Sequence, residues 1–327
     1  MMRSMQTSEV GESMAPGLTG QQVASGAQAQ GHLHAVDPAR FSTHRISPIR
    51  HDFDRHPLMQ LPRLAQLAHD LMPSRQCRFI RPGSSQTSEF FHTPKTPDGQ
   101  DIDAVFARIE EPGSWVALYN VQTDPHYAAF LDEAMASARP LIEPSQPGLF
   151  RVAGFIFISA PPSVTPFHID RENNFWLQIR GRKIMTVFDH RDRAVVSARE
   201  VEEFIVHGSL AKVRLDPALR DHGRDFDVGP GDGVYFPATS PHMTRTTTDW
   251  VRPGDGVSIS IGVVFYTAVT RHLARVHQCN RVLRQLGLQP SFPGASAWRD
   301  VLKAPLGRAI AASRVRWRNH VAPPGAY

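Results

Sequence analysis

Residues Thr165–Phe188 read TPFHIDRENNFWLQIRGRKIMTVF. Two short apolar runs stand inside this stretch, Phe175–Ile179 and Lys183–Phe188, each bounded by polar or turn-forming residues, the pattern of β-strands. The same pattern continues outward. Leu149–Ser159 (LFRVAGFIFIS) precedes it, and Gly233–Phe236 and Val257–Tyr266 follow. No long helical pattern fits between these runs. A doubly wound α/β sheet is therefore disfavoured, and an all-β barrel or sandwich is the expected fold.

The flanks differ from this centre. Residues 1–45 are rich in Gly, Gln, Ala and Ser and almost free of branched apolar residues, so they bury too little to offset chain entropy and are expected to be disordered. A helical pattern begins at His56-Pro57-Leu58, with Leu64, Leu67, Ala68 and Leu71 on one face, and stops at Pro73. Residues 81–100 read as loop, Ile102–Glu110 as a short helix and Trp115–Val121 as a strand. After Thr267 the pattern is helical again. Val269, Leu273, Val276, Cys279, Leu283 and Leu286 form one stripe with Gly287 as its C-terminal cap, and a second helical stretch surrounds Trp298, Val301, Leu302 and Leu306. The expected organisation is a disordered segment (1–45), a barrel with an N-terminal helical elaboration (46–267) and a basic helical region (268–327).

Composition narrows the function classes. The chain has 327 residues, 41% hydrophobic and 20% charged, which suits a soluble globular protein with a sizeable core. The most apolar run, Val257–Val269, falls short of the roughly 18 residues of a membrane helix, so no membrane association is expected. The N-terminal residues lack the hydrophobic block of a secretory signal. Cys77 and Cys279 make no disulfide framework, and a reducing cytoplasm is the expected location. The net charge is +5, but from Arg271 onward nine Arg and one Lys face a single acid, Asp300. That segment is +9 and the remainder −4. It attracts phosphates but contains no helix-turn-helix, so nucleic-acid binding is not expected.

The chemistry centres on His168-Ile169-Asp170. Residues i and i+2 of a strand point the same way, so an imidazole and a carboxylate can meet at one point. His242, at the end of Tyr235-Phe236-Pro237-Ala238-Thr239-Ser240-Pro241-His242, can supply a third ligand. Two His and one carboxylate on one face of a metal, with other positions open, suit non-haem Fe(II) and O2 chemistry. The bland reading of such a pair is a buried hydrogen-bonded couple. Lys183 heads an apolar strand; a lysine there more often marks a solvated edge than an anion site. Asp189–Arg193 reads as a solvated turn, His207 and His222 as exposed loop residues, Trp176 as either core or substrate opening, and Cys279 as a small hydrophobe.

Taken together, T-P-x-H-x-D, N-F-x-x-Q-I-x-G-x-K, G-P-G-D-x-x-Y-x-P and the distal His resemble the Jumonji-C and cupin-like 2-oxoglutarate oxygenases. The branch they most resemble is that of the asparaginyl hydroxylase inhibiting hypoxia-inducible factor. The resemblance spans about residues 115–266. It implies a mainly β fold, a double-stranded β-helix (jelly roll) with flanking N- and C-terminal helices, holding Fe(II) through His168, Asp170 and His242. It implies that Lys183, with Thr165 and Tyr119, receives the distal carboxylate of 2-oxoglutarate, and that Asn174 lies near the chelating end. The implied activity consumes 2-oxoglutarate and O2, releases succinate and CO2, and hydroxylates a peptide or protein side chain or a small metabolite. It also implies a homodimer through the C-terminal helices, burying Leu273, Val276, Leu283 and Leu286 with Arg side chains at the rim or facing the acidic body; the alternative is that these helices pack on their own barrel. Where that branch carries Asn on its last core strand this chain has Val264, and Tyr266 replaces a nearby Trp, so asparagine as the substrate is not implied. The alternatives are a metal cupin acting without 2-oxoglutarate and a non-catalytic ligand-sensing protein; Lys183, Thr165 and Tyr119 argue against the first.

Overall fold

The computed structural model describes residues 32–79 and 102–321. Among the described residues the strands are β1 (Leu33–Ala35), β2 (Ser47–His51), β3 (Cys77–Phe79), β4 (Trp115–Leu118), β5 (Phe150–Ser159), β6 (Ser163–His168), β7 (Asn173–Arg180), β8 (Lys183–Val187), β9 (Arg224–Val228), β10 (Asp232–Phe236), β11 (His242–Thr246) and β12 (Ser258–Tyr266). The helices are α1 (Leu61–Leu71), α2 (Ile102–Ala107), α3 (Pro125–Ile142), α4 (Ala198–His207), α5 (Ala268–Gln285) and α6 (Ala297–Val321). The strands make two antiparallel sheets, an eight-stranded one ordered β1-β2-β10-β7-β12-β5-β4-β3 and a four-stranded one ordered β6-β11-β8-β9. The chain is thus mainly β in jelly-roll style with helices at both ends. Among the described residues no strand pair joins the two sheets into a closed barrel.

Side-chain parity explains why the central strands are apolar throughout. On β7, Phe175, Leu177 and Ile179 share a core with Leu64 and Leu67 of α1 and with Phe130 and Leu131 of α3. Ile259, Ile261, Val263 and Phe265 of β12 join the same core. The opposite face of β7 presents Trp176, which packs with Met185, Val187, Val228, Val234 and Phe236 between the two sheets. A strand covered on both faces has no solvent side to carry polar residues. On β12 the residues of the other parity include Ser258 and Ser260, both fully buried, so the space between the sheets is partly polar just there.

Several sequence expectations are corrected. The sheet begins at Leu33, inside the stretch expected to be disordered; residues 1–31 of that stretch, like the expected loop 81–100, lie outside the described residues. Its few apolar side chains are compensated by pairing of β1 with β2 and by buried donors. The Tyr235 hydroxyl and the Gln146 amide donate to the Thr43 carbonyl at 2.9 and 3.1 Å. The strand expected over Trp115–Val121 ends at Leu118, since Asn120 turns to a left-handed φ of 52°. Helix α3 was not expected at all. Asp124 caps it by accepting from the His126 and Tyr127 amides, and Pro125 occupies its first turn.

The C-terminal pair packs in part on its own chain, with Trp298, Val301, Leu302 and Leu306 of α6 left exposed. Thr267 caps α5, and at its other end the Leu288 amide donates to the Leu283 carbonyl (3.1 Å) with Gly287 at φ 84°, the Schellman arrangement. Val276 and Cys279 are fully covered within the chain, Leu273 and Leu283 are half-buried, and Leu286 is 71% exposed. Of the four residues expected in a two-fold interface, only Leu286 is therefore an open surface, because α4 and α6 pack on the helix. Arg284 forks onto Glu202 of α4 at 2.9 and 3.0 Å and Arg281 pairs with Glu203, so part of the basic tail does face acidic residues of the body.

At the α5–α6 crossing, a Cβ on Gly307 would stand 1.8 Å from the Arg275 carbonyl oxygen. In an exposed helix Gly→Ala stabilises by about 1 kcal/mol. Here the sign should reverse: Gly307→Ala should destabilise by about 1–3 kcal/mol, the usual cost of overpacking, in a denaturant titration.

Candidate metal centre

His168 is the last residue of β6 and His242 the first of β11, and the antiparallel register places them side by side. Asp170 lies beyond the strand, in the connection to β7, so the carboxylate reaches the site from a loop rather than by strand parity. One ligand atom from each of the three lies within 4.8 Å of the others, and His242 Nε2 stands 3.5 Å from Asp170 Oδ2. The Thr239 amide donates to the Asp170 carbonyl at 2.8 Å and holds that loop. Thr239 does so at φ 63°, a strained value for a β-branched residue and the kind of cost found at functional sites.

The imidazoles are oriented by their own backbone. Nδ1–H of His168 donates to the Pro166 carbonyl at 2.8 Å, and Nδ1–H of His242 donates to the Ser240 carbonyl at 3.0 Å. A carbonyl can only accept, so each ring carries its proton on Nδ1 and keeps Nε2 as the nitrogen able to ligate a metal. Burial pushes His242 down to about 4, which keeps its ring neutral and ready to ligate near pH 7. Two imidazoles and a carboxylate that converge in this way form a donor set suited to Fe(II).

Lys183 is not at a solvated edge. It is 3% exposed, and by strand parity it shares the inward face of β8 with Met185 and Val187. Val187 pairs with His242, and Met185 pairs with Thr244, which pairs in turn with Thr165. The lysine therefore lies four residues, roughly 13 Å of strand, from the row that carries the histidines. Nζ has one hydrogen-bond partner, the Ser260 hydroxyl at 3.4 Å, and no carboxylate among the described residues within ion-pair distance. Desolvation lowers it from 10.5 to about 7. Asn174, buried on β7, leaves its Oδ1 without a partner. Burial, aided by the negative charge of Asp170, pushes the Tyr119 hydroxyl up to about 12.

Sequence reasoning missed Arg78. It sits on β3 with its guanidinium 4.3 Å from the Tyr119 ring centroid, and its buried Nε and Nη1 lack partners among the described residues. Only the meeting of β3 with β4 brings it there, and no motif marks it. Trp176 proves to be core, 5.9 Å from Lys183 Nζ. Cys279 is a buried free thiol. His222 is exposed and pairs with Asp192, and His207 is exposed at the end of α4 rather than in a loop. The expected solvated turn Asp189–Arg193 is only partly so, since His190 and Arg193 are turned against the protein.

No protein-family model matches the chain, and no curated protein matches it in sequence. Among solved structures it resembles YcfD, a ribosomal oxygenase from Escherichia coli, in complex with cobalt and 2-oxoglutarate, at 17% identity and a TM-score of 0.42, covering 88% of this chain and 70% of that one. Against a second structure of that protein this chain spans 64% of its length. It also resembles SnoK, a non-haem α-ketoglutarate-dependent carbocyclase of nogalamycin biosynthesis (14% identity, TM-score 0.43, covering 71% and 83%). A third likeness is to EvdO2 from Micromonospora carbonacea, complexed with 2-oxoglutarate (15%, 0.40, 71% and 90%).

Lys183 yields a signed test. The unfolded lysine keeps its proton to about 10.5 and the folded one releases it near 7. Between those values the unfolded state binds more protons, so this residue makes the ligand-free protein more stable as pH rises through that window. Lys183→Met should be more stable than wild type at pH 7, with the gap narrowing toward pH 9–10 in denaturant titrations.

Proposed function

We propose that the protein is an Fe(II)- and 2-oxoglutarate-dependent oxygenase that hydroxylates its substrate, with His168, Asp170 and His242 as the metal ligands. The observation that carries this reading is the pairing of a His-Asp-His set with a buried lysine, without a carboxylate partner among the described residues, on the inward face of the same sheet. A buried charge without a partner is costly and is retained where a ligand completes it. Bound iron with 2-oxoglutarate and O2 would supply oxidative decarboxylation to succinate and CO2, coupled to insertion of one oxygen into a substrate C–H bond. The chain's own residues bind, orient and exclude water. Lys183, with Thr165 and the Ser260 hydroxyl, receives the distal carboxylate; Tyr119 and Arg78 add donors from the β3–β4 side; the Asn174 amide, whose Oδ1 has no partner among the described residues, lies at the chelating end. The motif spacing that resembles the asparaginyl-hydroxylase branch belongs to this reading without that branch's substrate. Both cysteines are free and buried, which suits a reducing compartment such as the cytoplasm.

A metal enzyme of the same fold that works without 2-oxoglutarate has no use for a buried, uncompensated Lys183, and is the weaker reading. Succinate release in air separates the two. His168→Ala and Asp170→Ala should abolish it, while Lys183→Ala should keep metal binding and raise the 2-oxoglutarate requirement about thirtyfold or more, as expected when one partner of a buried charge pair is truncated. A Lys183→Ala requirement within about twofold of wild type would remove the lysine from the cosubstrate site. Because the ligand-free amine titrates near 7, 2-oxoglutarate should also bind more tightly at pH 6.5 than at 8.5, with proton uptake read from buffer-dependent binding enthalpies.

A further inference from the structure

A second feature lies outside the metal ligands and outside the proposed cosubstrate residues. A cavity of about 1050 Å3 opens where the end of β12 and the start of β5 meet α5, next to the loop that holds Asp170. Thr239, whose amide bonds the Asp170 carbonyl, and Arg171, the residue after Asp170, both line it. Six arginines line it, Arg171 among them with Arg151, Arg191, Arg193, Arg271 and Arg275, and among the described residues no Asp or Glu does. The volume suits a small organic molecule.

The nearby acids are already engaged, two of them by residues of the cavity wall, Arg191 and Tyr266. Asp189 takes Arg191 at 2.8 Å, Asp192 takes His222 at 2.7 Å, Glu172 accepts from the Tyr266 hydroxyl, and Glu202 holds Arg284. Two of the arginines are fixed without any carboxylate. Arg193 donates to the carbonyls of Arg191 and His190 and lies 4.0 Å over the Phe292 ring, leaving a buried Nη1 without a partner. Arg171 donates to the Phe204 carbonyl at 2.8 Å and leaves a buried Nε without one. His277, against the same Phe292 ring, is buried with its Nδ1 lacking a partner among the described residues. Guanidinium groups locked in place with donors to spare are preorganised for an oxyanion, because little side-chain entropy remains to be lost. Phe150, Tyr266 and Phe292 supply apolar walls beside them.

We propose that this cavity binds the substrate, and that the substrate is a small organic oxyanion, a phosphate or carboxylate on an apolar body, whose charged group is held by Arg193 and Arg171. This names the substrate class for the oxygenase reading and rests on that reading for turnover, though not for binding.

The test is calorimetric titration of the Co(II)- and 2-oxoglutarate-loaded full chain with phenyl phosphate, phenylacetate, phenol and inorganic phosphate, with the Co(II) absorption spectrum recorded throughout. One or both aryl anions should bind, the tighter one identifying phosphate or carboxylate. Phenol and inorganic phosphate should each bind at least tenfold more weakly, since each lacks half of the recognised chemistry. Arg193→Gln, and separately Arg271→Gln at the exposed rim, should weaken the better anion, Arg193→Gln by tenfold or more, with the Co(II) spectrum unchanged. Anion binding that survives Arg193→Gln, or no aryl-anion binding to a protein whose Co(II) spectrum shows an occupied site, would overturn the proposal while leaving the oxygenase reading intact. Arginine-dependent anion binding to a chain that takes up no Co(II) would support the anion cavity and sink the oxygenase reading instead.

Discussion

Lys183 is a cation carried inward by a strand whose other inward residues are Met185 and Val187, and the architecture around it follows from that placement. Keeping an ammonium group out of water requires strands on both sides of β8 and a facing sheet, and the order β11-β8-β9 beneath the larger sheet provides them. The local response is polar: buried serines at alternate positions of β12, one of them bonded to Nζ, where the remaining faces are packed with Ile, Val and Phe. Neither measure neutralises the charge. Desolvation brings the amine down to about 7, a penalty that a bound anion would relieve.

The metal ligands obey a related constraint. The histidines sit on adjacent strands, each locked by a carbonyl two residues earlier in its own chain, so ring orientation follows from strand geometry alone. Asp170 cannot use that device because β6 ends at His168. It relies on the strained Thr239 amide instead. Lys183 and the histidines then occupy separate rows of one small sheet, and a ligand bridging them would span the polar strip between two apolar cores.

Much of this was legible in the residues. His168, Asp170 and His242 are marked by their spacing, Lys183 only by the resemblance of its motif to the oxygenase family, and strands β5, β7, β8, β10 and β12 by apolar runs between turns, whereas β6, β9 and β11 are not so marked. What escaped did so for physical reasons. Helix α3 is rich in alanine and has a proline in its last turn, so its apolar face is faint in sequence. Residues 32–45 carry few apolar side chains and are held through the Thr43 carbonyl by donors about 100 and 190 residues away. Arg78 and Arg193 resemble any surface arginine until tertiary packing removes their water. The C-terminal stripe was visible as a stripe, but periodicity does not say whether a helix of the same chain or of another one covers it.

The most direct test is anaerobic. Fe(II) should bind once per chain, and titration with 2-oxoglutarate should then produce the visible charge-transfer absorption of a bidentate keto acid on iron. In Lys183→Ala the same absorption should appear only at much higher 2-oxoglutarate. Stoichiometric iron with no absorption change on adding 2-oxoglutarate would contradict the account, because the buried lysine and the three ligands would then not share a ligand.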